Sequence, residues 1–381
     1  MSVMEDMGAR AIALGIPLSV QLDLTYRCNE RCIHCYLDHE DHGEMTTAEI
    51  LGLLDQLAAA GVFFLNVSGG EIFIRPDLFT IIEHARKLQF SVKLKTNGVM
   101  IREAKARRIA ALGVEAVQIS LYSHDAATHD KITKLPGSFK RTVEGARLLR
   151  DAGVKVIFAN VLMQQNADHY KQVQALAAEM GIRYEVDATI TPMMDGDRGI
   201  VALNMDGGRL AAIMHDTTLL GDQAERLLAA PSGPTPLDEA YETLPCSAGH
   251  TACYVSPYGD VFPCVQFPFK VGNVREQAFI DIWKHSPQLK EVRAIRVSDL
   301  EGCSSCVHGS SCNRCPGLAY LEGNMRGPSI QDCEKSFART GVPSYNLQRK
   351  QGARATPQPA VAAMEQESLP AAHPVVWMAR Q

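Results

Sequence analysis

From about residue 19 to residue 187 the chain alternates short β-rich runs with amphipathic helical runs six times, and no other feature restricts the fold as much. The strand candidates are SVQLDLT (residues 19–25), VFFLNVS, SVKLKT, VEAVQISLY, VKVIFANVLM and IRYEVDA. Helical runs between them start at about Thr47, end near Gln89, and cover residues 103–112, 139–152 and 168–180. Thr46 and Glu49 have the spacing of a capping box at the start of the first of these. Gly61, Gly113, Gly153 and Gly181 each stand after a helical run and one residue before a strand, where a left-handed C-cap is needed. This regularity predicts an α/β fold with a parallel sheet and right-handed crossovers. Its natural closure is a partial (β/α)6 barrel of the TIM type over residues 17–200, after an N-terminal extension of residues 1–16. The rival is an open doubly wound sheet, which periodicity alone does not separate from the barrel.

Beyond residue 200 the pattern weakens. Residues 201–245 read as a bridge with Gly and Pro clusters around one helix near residues 209–220, residues 246–340 as a cysteine-rich domain, and residues 341–381 as a mobile tail rich in Ala, Pro and Gln. The cysteine-rich stretch has little apolar periodicity, so metal rather than a core is expected to hold it together. The 381 residues, 46% hydrophobic and 21% charged with a net charge of −5, are those of an ordinary globular chain without an electrostatic footprint for nucleic acid. The N-terminal residues do not read as a signal peptide, and no apolar run approaches the ~20 residues of a membrane span. A cytoplasmic protein with no nucleic-acid or membrane partner is therefore expected. In that reducing compartment 11 clustered cysteines point to metal rather than disulfides.

Cys28, Cys32 and Cys35 follow directly on the first strand in a C-x3-C-x2-C arrangement. In a barrel that is the face where active sites are built. Three thiolates on a four-iron cluster leave one iron open to a ligand. The alternative is a zinc knuckle with His34 or His39 as fourth ligand. Ser68-Gly69-Gly70-Glu71 follows the second strand, Lys95-Thr96-Asn97-Gly98 the third, and Ser120 ends the fourth. Downstream, Cys246 and Cys264 fit C-x12-G-x4-C through Gly259, Cys303, Cys306, Cys312 and Cys315 fit C-x2-C-x5-C-x2-C, and Cys253 and Cys333 complete the eight. Two structural zinc sites would also account for these eight alone.

The cysteine triad with its Gly-Gly-Glu element resembles the radical SAM superfamily, and the eight-cysteine stretch, with DIWKHSPQL and CPGLAYLEGN, resembles its SPASM subgroup. The resemblance implies a 4Fe-4S cluster on Cys28, Cys32 and Cys35 that binds S-adenosyl-L-methionine (SAM) and cleaves it reductively to a 5′-deoxyadenosyl radical. It further implies Gly69, Gly70 and Glu71 at the methionine amino group, His34 beside adenine in place of the usual aromatic residue, and Asn97 and Ser120 as further cofactor contacts. Two auxiliary iron–sulfur clusters are implied, the first on Cys246, Cys253, Cys264 and Cys315, the second on Cys303, Cys306, Cys312 and Cys333. That uses all 11 cysteines.

The subgroup implies maturation of a ribosomally made peptide or protein by crosslinking, oxidation or decarboxylation, with a flavodoxin or ferredoxin as electron donor. Tetrapyrrole or other small-molecule modification is the alternative, and a non-catalytic electron carrier or zinc scaffold a remote one. Val265 stands where sulfatase-maturing relatives carry an acidic base, which argues against that chemistry. The first strand begins close to the N-terminus, so leader recognition is expected from a separate protein or from the barrel itself. The sequence names no general base; Tyr122, Tyr184, Asp187 and Asp195 lie near strand ends. Asn160, within the fifth strand, receives no assignment. His124, Asp125, His129 and Asp130 read as loop and helix-cap residues.

Overall fold

The computed structural model describes residues 3–193, 197–221, 224–231, 233–309, 311–344 and 346–347; Asp195 and nearly all of the tail lie outside them. Strands β1 (Ser19–Asp23), β2 (Phe64–Ser68), β3 (Ser91–Thr96), β4 (Ala116–Ser120), β5 (Val156–Val161) and β6 (Arg183–Asp187) are all parallel, and each pairs with the one before it. A doubly wound sheet reverses its strand order at a switch point. Here the order runs 6-5-4-3-2-1 without reversal, which selects the singly wound, barrel-type arrangement. The sheet does not close among the described residues.

Its other edge is extended. Strand β7 (Ala252–Val255) pairs with β1 in parallel, and β8 (Asp260–Phe262) and β9 (Gly272–Asn273) continue antiparallel, giving one nine-stranded sheet. The cysteine-rich part is thus built onto the barrel's first strand.

Helices α1 (Val3–Leu14), α2 (Thr47–Ala59), α3 (Leu78–Lys87), α4 (Glu103–Leu112), α5 (Ala126–Thr133), α6 (Ser138–Asp151) and α7 (Tyr170–Glu179) accompany the strands. The capping box forms: Thr46 Oγ1 accepts from the Glu49 N–H at 3.3 Å, and Glu49 Oε2 accepts from the Thr46 N–H at 2.7 Å. Gly61, Gly113, Gly153 and Gly181 all have positive φ. Along each strand one set of alternate residues enters the core beneath the helices, as in Val20 and Leu22, Leu65 and Val67, Val92 and Leu94, Val117 and Ile119. The opposite face carries Gln21, Asp23, Lys95, Gln118, Ser120, Glu185 and Asp187. A sheet apolar on one side and polar on the other leaves a lined interior.

The bridge holds several short helices rather than one: Gly207–Met214, Thr217–Leu220, Ala224–Leu228 and Leu237–Glu242. The cysteine-rich part also differs from the expectation that metal alone would organise it. Val255, Val261, Phe279, Ile282, Trp283 and Leu289 join the main core, because β7 is an inner strand and the helix Phe279–His285 packs against α2. Trp283 is 1% exposed, stacks on Phe279 at 6.3 Å, and donates its indole N–H to the Gly15 carbonyl at 2.6 Å. Trp283→Ala is expected to lower stability by about 3–5 kcal/mol, read as a lower denaturant midpoint. An unchanged midpoint would mean that the two parts do not share a core. No described helix is long and apolar enough to cross a membrane.

Candidate active site

The chain leaves β1 into the loop that carries the first three cysteines. Leu24 N–H bonds to the Ser68 carbonyl, Gly70 N–H to that of Thr25, and Glu71 N–H to that of Arg27, so the Gly-Gly-Glu segment lies directly against the loop. Only glycine permits this approach. An added Cβ would sit 2.2 Å from the Thr25 carbonyl oxygen at Gly69, whose φ is +138°, and 2.4 Å from that of Arg27 at Gly70. On the far side, Arg31 and Ile33 donate backbone N–H groups to Thr133 and Ile132 at the end of α5.

Cys28, Cys32 and Cys35 line one cavity of about 250 Å³ with His34, Gly69, Gly70, Asn97 and Ser120. Seven of the eight residues singled out beside this strand end are therefore joined by the fold with Ser120 of β4. Glu71 is the exception. Its buried carboxylate takes donors from the chain itself: Phe73 N–H at 2.9 Å, Thr96 Oγ1 at 2.8 and 2.9 Å, and Asn97 N–H at 2.9 Å. It lies behind the cavity wall. Asn97 Nδ2 in turn reaches Asn29 Oδ1 at 2.7 Å and Cys28 Sγ at 3.8 Å. The His34 ring meets Tyr122 edge-on at 4.7 Å.

Burial pushes the Cys28 thiol up to about 12 and Cys35 to about 11, and raises Cys32 well above its ordinary value; neighbouring thiols add to the shifts of Cys28 and Cys32. Such thiols become ligands only when a bound cationic centre compensates their charge. Among the described residues no three His, Cys, Asp or Glu side chains are grouped so as to hold a single metal ion, for which tetrahedral zinc would bring sulfurs to within about 4 Å of one another. The donor set is all sulfur and opens on a cavity, which fits an iron–sulfur cluster with a ligand site beside it.

Several further groups line this cavity. Lys95, Gln118, Glu185 and Asp187 do so from inward strand positions, joined by Glu30, Tyr122 and Asn160. Lys95 donates to Gln21 Oε1 at 3.1 Å, and burial lowers its ammonium to about 8 although Asp23 opposes the shift. Burial raises Asp23 to about 6. Of the strand-end residues left open by the sequence, Tyr122 and Asp187 reach the cavity, whereas Tyr184 bonds to Asn160 at 3.2 Å from behind it. Glu30, Gln118 and Glu185 were missed. The signal for the last two was a polar residue two positions from another polar residue in an otherwise apolar strand. Asp125 caps α5 through Thr128 N–H, and Asp130 takes donors from Gly137, Ser138 and Phe139, as expected of cap residues.

The other eight cysteines fall into two groups. Cys303, Cys306, Cys312 and Cys333 line a second cavity of about 330 Å³. Cys246, Cys264 and Cys315 lie within electrostatic reach of one another, and Cys253 within reach of Cys264. Burial raises the Cys264 and Cys303 thiols to about 11 and those of Cys315 and Cys333 to about 12. Gly317 permits the interleaving: a Cβ there would lie 2.0 Å from the Gln266 carbonyl oxygen, so the helix Pro316–Leu321 carries Cys315 close against the segment after Cys264.

The family model described as the radical SAM superfamily matches residues 22–177, and that of the SPASM iron–sulfur cluster-binding domain matches residues 246–316. Among similar proteins, PqqA peptide cyclase of Xanthomonas campestris is 31% identical over 86% of this chain and 89% of its own length. Mycofactocin maturase MftC of Mycobacterium tuberculosis is 30% identical over 81% of each chain, and AdoMet-dependent heme synthase of Methanosarcina barkeri 29% over 80% and 92%. Streptococcus suis SuiB, solved bound to S-adenosylmethionine, shares the fold with a TM-score of 0.68 at 20% identity, over 84% of this chain and 77% of its own. The chain belongs to the radical SAM superfamily, in its SPASM-domain branch, and is an enzyme whose cofactors are S-adenosyl-L-methionine, a 4Fe-4S cluster and auxiliary iron–sulfur clusters.

Proposed function

We propose that the enzyme matures a ribosomally made peptide or protein by crosslinking, oxidation or decarboxylation. The observation that carries this reading is the 31% identity to PqqA peptide cyclase along both the barrel and the cysteine-rich part, supported by the maturase MftC at 30%. We assign Cys28, Cys32 and Cys35 to the SAM-binding cluster, which when bound supplies the electron that cleaves SAM to a 5′-deoxyadenosyl radical. Cys246, Cys253, Cys264 and Cys315 are assigned to the first auxiliary cluster, and Cys303, Cys306, Cys312 and Cys333 to the second.

The chain's own part is to bind and orient. Gly69 and Gly70 bring backbone to the cofactor's methionine end, and Asn97 and Ser120 offer side chains beside it. The His34 ring, held against Tyr122, gives adenine a planar neighbour. Glu71 acts as a positioning residue, since its carboxylate fixes Thr96 and the Asn97 N–H. Lys95, Glu185 and Asp187 line the deeper cavity, and we assign them to the substrate. A flavodoxin or ferredoxin would deliver electrons, and a separate protein or the barrel itself would recognise a leader segment.

The test is anaerobic turnover of the reconstituted enzyme with SAM, reductant and each short peptide encoded beside its gene. The expected result is 5′-deoxyadenosine in step with a mass change in one peptide. No response to any peptide, with 5′-deoxyadenosine stimulated by a porphyrin, would replace this reading by tetrapyrrole modification, which the M. barkeri heme synthase favours.

A further inference from the structure

Two half-buried arginines of the cysteine-rich part each hold one buried guanidinium nitrogen that is unused. Arg314 donates from Nε to the Gly327 carbonyl at 2.8 Å and from Nη2 to the Gly327 and Met325 carbonyls. Its Nη1 is buried without a hydrogen-bond partner. Arg293 donates from Nε to Gly249 and from Nη1 to Trp283, both carbonyls at 2.6 Å, and lies 4.3 Å over the Trp283 ring. Its Nη2 is likewise buried and unpartnered. Leaving a charged N–H orphaned in this way is costly unless something bound takes it.

Cysteines lie within electrostatic reach of both side chains. Arg314 lines the cavity of Cys303, Cys306, Cys312 and Cys333. The strongest attraction on it comes from Cys303, followed by Cys315, a member of the other group. Arg314 therefore stands between the two sets. Cys253 is the group that attracts Arg293, and Arg293 in turn acts on the Cys253 thiol. Asp332 also lines the second cavity, but its carboxylate is engaged by the Cys315 N–H at 2.8 Å and the Lys335 ammonium at 3.3 Å.

We propose that Arg314 and Arg293 are fixed cationic partners of the auxiliary clusters, each turning its unused N–H and its charge toward cluster sulfur, Arg314 from between the two ligand sets and Arg293 from beside Cys253. The inference rests on the assignment of the eight cysteines given above. Hydrogen bonds to sulfur and net charge set the potential of such a cluster. A guanidinium, weakly hydrated and always charged, stabilises the more negative, reduced state from a water-poor position. Both arginines are thus positioning groups that raise the auxiliary potentials.

The experiment uses the full chain carrying Cys28→Ala, Cys32→Ala and Cys35→Ala, so that only auxiliary clusters give signals. Iron is counted, and the midpoints are followed by electron paramagnetic resonance during a redox titration. Arg314→Gln is expected to keep its iron and to lower both midpoints by about 59 mV, a tenfold change in a one-electron equilibrium. Arg293→Gln should lower one midpoint, and Arg314→Lys, which keeps the charge, should recover most of the loss. If Arg314→Gln loses iron, Arg314→Lys and Arg293→Gln carry the decision. Midpoints unchanged in iron-replete variants overturn the proposal, even if the variants melt earlier, since that is what a purely structural role predicts. Zinc in place of iron before any arginine is changed would instead overturn the ligand assignment.

Discussion

A chain with Cys28→Ala, Cys32→Ala and Cys35→Ala, reconstituted without oxygen, is expected to hold about four irons fewer than the parent and to make no 5′-deoxyadenosine above the dithionite background. The three thiols are the sulfur donors lining the first cavity. The fold should survive, because the residues under β1 that hold it are Val20, Leu22 and Leu24, and the thiols' own contacts are weak, such as Glu30 N–H to Cys28 Sγ at 3.4 Å. Iron analysis and chromatography of the reaction decide it. Equal iron in the two proteins, or cleavage that persists, would mean that these cysteines do not hold the SAM-binding cluster.

The second large effect is expected from one methyl group. Gly70→Ala brings Cβ to 2.4 and 2.5 Å from the carbonyl oxygens of Arg27 and Tyr26, both backbone atoms that cannot rotate away. The loop carrying Cys28 must shift, and a displacement of about 1 Å in a reacting constellation costs on the order of 100-fold in rate. SAM cleavage should fall by about that factor while auxiliary iron stays. Gly52→Ala is the control: it lies in α2 with nothing within 4 Å of an added Cβ, and it should stabilise by about 1 kcal/mol with cleavage unchanged. If Gly70→Ala cleaves SAM as well as Gly52→Ala does, the close approach is not what positions the loop.

Much of the barrel was legible because its signals are local. Period-2 alternation marked the strands, the Thr46–Glu49 pair marked a helix start, and glycines needing positive φ marked four helix ends. The cavity was legible in part. Asn97 and Ser120 stand at strand ends, and a parallel sheet gathers its strand ends on one face. The partners of Glu71 were not legible, since Thr96 and Asn97, which donate to its carboxylate, are distant in sequence. Glu30 carries no motif, and Gln118 and Glu185 carry only a polar spacing of two along a strand, so that the cavity they share shows only in the fold.

The sequence by itself determined the number of strand-and-helix units, the position of three cysteines just past β1, and the count of eight cysteines in the second part. These follow from short-range periodicity, from capping chemistry, and from the spacing of the cysteines themselves. Tertiary structure alone decided the unreversed strand order and the placing of β7 beside β1, so that the cysteine-rich part shares the barrel's core. It also placed Arg314 in the cavity of Cys303, Cys306, Cys312 and Cys333, and Arg293 within electrostatic reach of Cys253. Each of these depends on which distant segments meet, and that is fixed by burial and backbone pairing across the whole molecule rather than by any local pattern.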